Sequence, residues 1–441
     1  MQGHKDDLNQ QQFLYNGLKE MLNPRNALYQ LTDKIQWSDF EKELGQYYSV
    51  EGRPSKPIRL MVSLLILKQL YNKGDETVVE EWVQNPYWQY FSGEKEFQWK
   101  MPLEPSDFVH FRKRIGEKGA ERIFKASIDV HGKSSQEASV VIDTTVQEKN
   151  ITYPTDAKLQ RKIVSQCVMI AKNEGIILRQ SYKRTVKRLL LLQRFRRHSK
   201  NYKQALRAGR KLRTIAGRLS RELERKLPLA VLPKYSEKLS LFSRVLRQKK
   251  EDSNKIYSLH APEVYCISKG KEHKKYEFGN KVSIALTKNS CIIVGAVSIP
   301  ENKYDGDTLP ETIAQRKRLI EKPLESAIVD RGYRGRKEID GVKIITPDNG
   351  SKASAYEKRK KRFCFRRRAA IEPVIGHLKS DFGLNRNFLK GKIGDSINVM
   401  LAAAAFNFRK YLRKLRFIFC LFKYWLNCVT GIAYMPEISC I

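Results

Sequence analysis

Three acidic residues stand where their surroundings suit metal chemistry. Asp143 interrupts Ser139-Val140-Val141-Ile142-Asp143-Thr144-Thr145-Val146, a β-branched run of the kind that makes a buried central strand. An isolated carboxylate in such a run is costly unless it meets a cation or a metal at the strand's edge. Asp330 ends the run Ala327-Ile328-Val329 and is followed at once by Arg331-Gly332-Tyr333-Arg334-Gly335, a turn out of a strand. Glu372 differs, lying on a helical segment after Arg366-Arg367-Arg368, with Arg368 at i−4 and Lys379 at i+7 on its own face. Two strand-end aspartates and a helical glutamate are the oxygen donors that a hard divalent cation takes. Two such ions about 4 Å apart can stabilise both the attacking and the leaving oxygen of an in-line phosphoryl displacement. Arg368 as a planar fork and Lys379 as a point charge suit phosphates beside the scissile bond. Either aspartate alone is as well explained by a turn or a cap, so the chemistry rests on the combination.

The elements that must position these residues read as an α/β domain with a mixed sheet, beginning where the composition changes at Ser134-Ser135-Gln136. Further strands are expected at Lys281 to Leu286, Cys291 to Ile299, Ser326 to Val329 and Val342 to Thr346, with helices near Leu309 to Glu321 and Ala355 to Leu384. Residues 1 to about 130 read as all helical. Pro57 to Tyr71 has apolar residues at helical spacing, Thr77 to Val83 follows, and Pro105-Ser106-Asp107 opens a helix in which aromatics alternate with cations up to Arg114. Short helices with a cationic member suit a helix-turn-helix DNA reader, with Arg112 and Arg114 as contacts, or equally a bundle that merely packs.

Charge narrows the partner. The chain has 441 residues, with 84 Lys and Arg against 47 Asp and Glu, a net of +37. Such a field attracts polyanions and holds them by counterion release, so nucleic acid is the expected partner. The excess is concentrated: residues 179 to 250 hold 24 Lys and Arg and 3 Asp and Glu. Tyr202, Leu206, Leu212, Ala216, Leu219 and Leu223 recur at helical intervals, and Pro228 and Pro233 break the pattern before it resumes at Leu239 to Leu246. This predicts a helical hairpin with a cationic outer face, binding phosphate backbones because the acids of an ordinary solvated helix are nearly absent.

A polar Met1 to Gln12 and seven cysteines without a CxxC pair point to a reduced cytosol and no zinc site. The apolar stretch Phe417 to Tyr434, broken by Lys423 and Asn427, is expected to be a packing or frayed helix without stable membrane association. Among other acids, Asp156 is expected to cap a helix opening at Ala157, and Asp305 and Asp307 to make a turn and cap the next helix. His377 is expected on a helix face or near DNA, because hard divalent cations prefer oxygen.

These residues carry a resemblance. Phe365-x2-Arg368-x3-Glu372-x6-Lys379 has the spacing of the Tyr-x2-Arg-x3-Glu-x6-Lys signature of bacterial insertion-sequence transposases of the DDE class, in particular the IS-five family and its IS-four relatives. Val329-Asp330-Arg331-Gly332-Tyr333 resembles the segment around that family's second aspartate. Val141-Ile142-Asp143-Thr144-Thr145, with Tyr153-Pro154-Thr155-Asp156 after it, resembles the first. Gly52-Arg53-Pro54, Asn85 to Phe91 and His110 to Gly116 are similar to its helical N-terminal domain.

The resemblance implies a ribonuclease-H-like mixed-sheet catalytic domain, Mg²⁺ or Mn²⁺ dependence with a pair of ions, and DNA as partner, both terminal inverted repeats and target. Asp143, Asp330 and Glu372 carry over as catalytic metal ligands, and Arg368 and Lys379 as DNA contacts beside Arg331 and Arg334. Phe365, lacking the signature's hydroxyl, receives no role. The expected organisation is a helical N-terminal DNA-binding domain (1–130), a catalytic domain (134–178 and 257–410) interrupted by a basic helical-hairpin insertion (179–256), and a C-terminal hydrophobic helical tail (411–441). A homodimer on DNA and a cytoplasmic, nucleoid-associated location complete the expectation. The alternative is an inactive or repurposed DNA-binding protein derived from such an enzyme.

Overall fold

The computed structural model describes residues 17–49, 51, 55–194, 196, 198–249, 251–268, 274–347 and 354–430, without the side chains of 355, 357, 358, 360, 361 and 417–430. Gly52-Arg53-Pro54 and residues 431–441 of the tail lie outside these.

Seven helices come first: α1 (Leu18–Met21), α2 (Ala27–Lys34), α3 (Trp37–Gly45), α4 (Ile58–Leu70), α5 (Asp75–Gln84), α6 (Pro86–Phe91) and α7 (Pro105–Asp129). α4, apolar almost all round, is buried on nearly every face, as such a helix must be. α7 starts where expected, with Pro105 in its first turn and a reciprocal Glu104–Asp107 capping box. It then kinks at Gly116 (φ 57°, ψ −155°), a backbone conformation that only glycine adopts without strain. Its first half carries Arg112 and Arg114. Its second half buries Ala120, Ile123, Phe124 and Ile128.

Next come β1 (Ser139–Lys149), α8 (Asp156–Asn173), α9 (Lys183–Arg194), α10 (Tyr202–Lys226) and α11 (Leu232–Arg247), then β2 (Tyr265–Ile267), β3 (Glu277–Thr287), β4 (Ile293–Ile299), α12 (Leu309–Leu319) and β5 (Ser326–Ile328). The described chain closes with β6 (Glu338–Ile339), β7 (Val342–Ile345), α13 (Ala355–Arg368), α14 (Ile371–Ser380), β8 (Arg386–Asn387) and α15 (Gly391–Thr430). The eight-stranded sheet runs β2-β3-β1-β5-β7-β6, with β4 also on β3 and β8 on β1. β1 is the pivot. It pairs antiparallel with β3 and parallel with β5, which pairs parallel with β7.

Three expectations about organisation change. One hydrophobic core unites the N-terminal helices (Leu31, Phe40, Leu64, Trp82), the sheet (Val141, Ile284, Ile328) and α15 (Ala402, Phe408), so 1–130 does not pack as a unit of its own. The helical insertion is larger than a hairpin and starts earlier. Leu159, Ile163 and Cys167 of α8 share a second core with Leu189, Leu212, Leu219, Tyr235 and Phe242, so α8 to α11 form a four-helix unit spliced between β1 and β2. Finally, the boundary at 411 falls inside α15, whose residues Ile397 to Leu412 supply much of the main core. Among the described residues, no helix is long and apolar enough to cross a membrane.

Candidate active site

The register of the sheet sets the two aspartates side by side. β1 and β5 pair in parallel with Val141 opposite Ile328, and two residues further along each chain stand Asp143 and Asp330. Neighbouring strands lie about 4.8 Å apart, so the two aspartates stand side by side, Asp143 within β1 and Asp330 two residues past the end of β5. Asp143 lies inside β1, not at the strand end where the sequence places it. β3 keeps β1 paired as far as Glu148, while β5 stops at Ile328, and the shorter neighbour leaves the edge that Asp143 needs. Asp143 Oδ1 accepts the Thr144 N–H at 2.8 Å, and Asp330 Oδ1 accepts the Arg331 N–H at 2.5 Å as its chain turns away.

Glu372 comes from the first turn of α14. The helix expected from Ala355 to Leu384 is interrupted, with α13 ending at Arg368 and α14 starting at Ile371. Pro373 accounts for the break, because a proline has no N–H for the preceding turn and its ring meets the carbonyl four residues back. Arg368 and Glu372 therefore flank a joint rather than share a straight helix.

One guanidinium joins all three acids. Arg368 Nη2 lies 3.2 Å from Asp330 Oδ2 and 3.6 Å from Asp143 Oδ2, and its Nη1 lies 3.8 Å from Glu372 Oε1. The arginine is 17% exposed, Asp143 20%, Asp330 47% and Glu372 67%, so the cluster runs from a half-buried floor to an open rim. Among the described residues, no three His, Cys, Asp or Glu side chains stand close enough to share one ion. The arginine holds the central place. The donor chemistry still fits a hard divalent cation, because three carboxylates converge on one cationic group.

A supporting layer lies beneath Asp143. Thr144 Oγ1 donates to Asp305 Oδ1 at 2.9 Å, and Lys281 Nζ reaches the same oxygen at 2.9 Å. Tyr333 is buried in the turn after Asp330, and burial first, then the charges of Asp143 and Asp305, hold its phenol well above the usual range and therefore protonated. The sequence reading missed this layer. Its available signal was Lys281, a lysine inside a strand that demands an acid partner. Asp305 makes the expected turn, but its carboxylate serves Thr144 and Lys281, while Asp307 pairs with Arg336. Thr155 rather than Asp156 caps α8, accepting from the Lys158 N–H.

Of the other residues singled out, Lys379 is partly exposed on α14 two turns past Glu372, and Arg331 and Arg334 are exposed in the turn after Asp330. His377 pairs with Asp381 through Nδ1 at 2.8 Å. Phe365 packs half-buried on the main core. Arg114 is exposed, its guanidinium 4.3 Å from the Tyr48 ring centre. Arg112 is a correction: it is buried, and both terminal nitrogens bind Asp75, at 2.9 and 2.7 Å. Burial pushes the Asp75 carboxyl up, but Arg112 and Lys68 more than reverse this and hold it below its usual range. Arg112 thus ties α7 to α5 and is not available to DNA.

Residues 16–114 match the family described as Transposase domain (DUF772), and residues 247–408 match Transposase DDE domain. The second segment contains Asp330, Arg368, Glu372 and Lys379. Asp143 and α8 to α10 fall outside both, so Asp143 joins the site on geometry alone. A DDE domain implies a ribonuclease-H-like fold, with which the order β4-β3-β1-β5-β7 agrees. The uncharacterized protein ORF8 in the nfe locus of Rhizobium meliloti is 42% identical over 190 residues, spanning 42% of this chain and 92% of that protein. No solved structure matches. The chain belongs to the DDE-type insertion-sequence transposases, metal-dependent enzymes that cut DNA and transfer the cut strand.

Proposed function

We propose that this chain binds the terminal inverted repeats of its own insertion sequence, cleaves DNA at the element ends and joins the freed 3′-hydroxyls to target DNA, using one site for both steps. The observation that carries the reading is the convergence of Asp143, Asp330 and Glu372 on a single guanidinium, although they come from two strands and a helix far apart in the chain. Mg²⁺ or Mn²⁺, as a pair of ions, would supply an activated water or 3′-hydroxyl and charge neutralisation at the phosphate. Asp143, Asp330 and Glu372 would hold the ions, the two aspartates from the half-buried part of the site and Glu372 from its exposed rim. Arg368 would turn from the carboxylates to a phosphate oxygen as DNA arrives, and Lys379, Arg331 and Arg334 would grip the backbone on either side. Tyr333, Thr144, Asp305 and Lys281 orient the floor. A homodimer would bring two ends together.

The test uses supercoiled plasmid carrying the element ends, incubated with the full chain with and without Mg²⁺. Metal-dependent nicking at the ends together with joined products is expected. Nicking without joining would reduce the protein to a nuclease, and binding without cleavage would leave a repurposed DNA-binding protein.

A further inference from the structure

The four-helix unit has a feature that catalysis at the carboxylates does not use. α10 turns one face into the unit's core through Ala205, Ala208, Leu212, Ile215, Leu219 and Leu223. On the other face stand Lys203, Arg207, Arg210, Arg218, Arg221 and Arg225, all exposed. At 100° per residue these six fall within a sector about 80° wide, and at 1.5 Å per residue they span about 33 Å. Thr214 is the sole interruption, and no acid occurs between Lys203 and Arg221. Like charges three and four residues apart oppose helix formation, so the stripe works against its own helix. Among the described residues, the ion pairs that α8 to α11 make are Lys226 with Glu222 and Lys234 with Glu174; Glu222 also feels Arg225 at the end of the stripe, and Lys203 to Arg221 take part in neither pair.

We propose that this stripe is a docking surface for the sugar-phosphate backbone of a DNA duplex over about one helical turn, without sequence preference and separate from the carboxylate site. Its length matches the roughly 34 Å of one turn. The inference rests on the chain's reading as a DNA-processing enzyme, and the fold gives it a path. The unit leaves the sheet beyond Lys149, at the carboxyl end of the strand that carries Asp143, which is also the end that carries Asp330. In this proposal a duplex seated at the carboxylates runs on past that end of β1 onto α10. An anionic membrane fits less well, because a helix lying in a lipid surface must insert its apolar face, and that of α10 is buried in the unit's own core.

The experiment measures binding of the full chain to a short duplex lacking the element ends, across 50 to 200 mM salt. Wild type is compared with a variant carrying Arg207→Gln, Arg210→Gln, Arg218→Gln and Arg221→Gln, and with Arg→Lys at the same positions. Four lost phosphate contacts should make the slope of log affinity on log salt shallower by about 3.6, so that wild type loses roughly 150-fold more affinity than the Gln variant over this range. The Lys variant should keep the wild-type slope. Circular dichroism and a melting point at or above wild type exclude misfolding, since removing like charges relieves the helix. An unchanged slope in the Gln variant, a lost slope in the Lys variant, or loss of binding to phosphatidylserine vesicles but not to duplex would each overturn the proposal. Asp330→Ala run alongside separates the readings: it should bind this duplex with the wild-type slope while failing to cleave element-end DNA in Mg²⁺, and cleavage of that DNA by it would refute the catalytic assignment and leave the stripe untouched.

Discussion

Replacing Arg368 by Ala should loosen the protein without metal and tighten its grip on metal. In the structure the guanidinium faces Asp330 at 3.2 Å, Asp143 at 3.6 Å and Glu372 at 3.8 Å. At such distances a unit charge pair is worth about 4 kcal/mol in an effective dielectric near 20. Most of that is screened for Glu372, at 67% exposure, and much of it for Asp330. The half-buried contact with Asp143 and the repulsion released between two aspartates on adjacent strands remain, which sets the loss on the order of 2 kcal/mol. A divalent ion entering the wild-type site must displace the same guanidinium. Arg368→Ala should therefore melt a few degrees lower in EDTA and bind Mn²⁺ about 30-fold more tightly without DNA, the equivalent of 2 kcal/mol. Arg368→Lys, keeping a charge but not the fork, should fall between. Thermal scans with and without divalent ion, with Mn²⁺ titrations read by electron paramagnetic resonance, make the comparison. Equal Mn²⁺ affinity and equal melting in EDTA for Ala and wild type would refute the idea that the arginine stands in for the metal.

Arg112→Ala should destabilise by about 3 kcal/mol, since it leaves the Asp75 carboxylate partly buried without its forked partner, while any folded fraction keeps its DNA affinity. Urea melts and duplex binding on the same sample check both. Asp395→Ala should cost about 3 kcal/mol in the same melts, because it leaves the buried Lys149 ammonium only its longer contacts at 3.4 Å to Glu263 and the Gly391 carbonyl and strips partners from Asn280 and Asn387. His131 Nε2 lies 3.0 Å from the Asn407 carbonyl, and burial lowers its pKa from 6.5 to about 4. Below 6.5 the unfolded chain takes up a proton that the folded chain refuses, so stability should be full above about 6.5 and decline by on the order of 2–3 kcal/mol as pH falls to about 4. The difference between wild-type and His131→Gln melts over that range isolates this contribution.

Much of the site was legible because its signals are local. Asp330 and Glu372 sit beside cations at fixed spacing, and the β-branched run around Asp143 announces a strand whatever surrounds it. What was not legible depends on pairing at a distance. The offset that sets Asp143 beside Asp330 belongs to a parallel contact across nearly 190 residues, which no local pattern encodes. The amphipathic pattern of α8 says that one face is buried but not against which core, so its place in the second core is not readable from the sequence. Arg112, set among aromatics, reads as a DNA contact because its partner Asp75 lies two helices and a loop away. Pro373, by contrast, was in plain view, and the helix break it imposes was available from sequence.

The central claim is that Asp143, Asp330 and Glu372 together hold the catalytic metal, and metal-specificity rescue tests it most directly. Each is replaced singly by Cys, and cleavage of element-end DNA is measured in Mg²⁺ and in Mn²⁺. A thiolate binds Mg²⁺ poorly and softer Mn²⁺ better, so each variant should lose at least about a thousandfold of its activity in Mg²⁺ and regain a measurable part in Mn²⁺, with DNA binding unchanged. Cleavage in Mg²⁺ within about tenfold of wild type by any of the three would contradict the account, because that carboxylate could not then be a ligand of the catalytic ion.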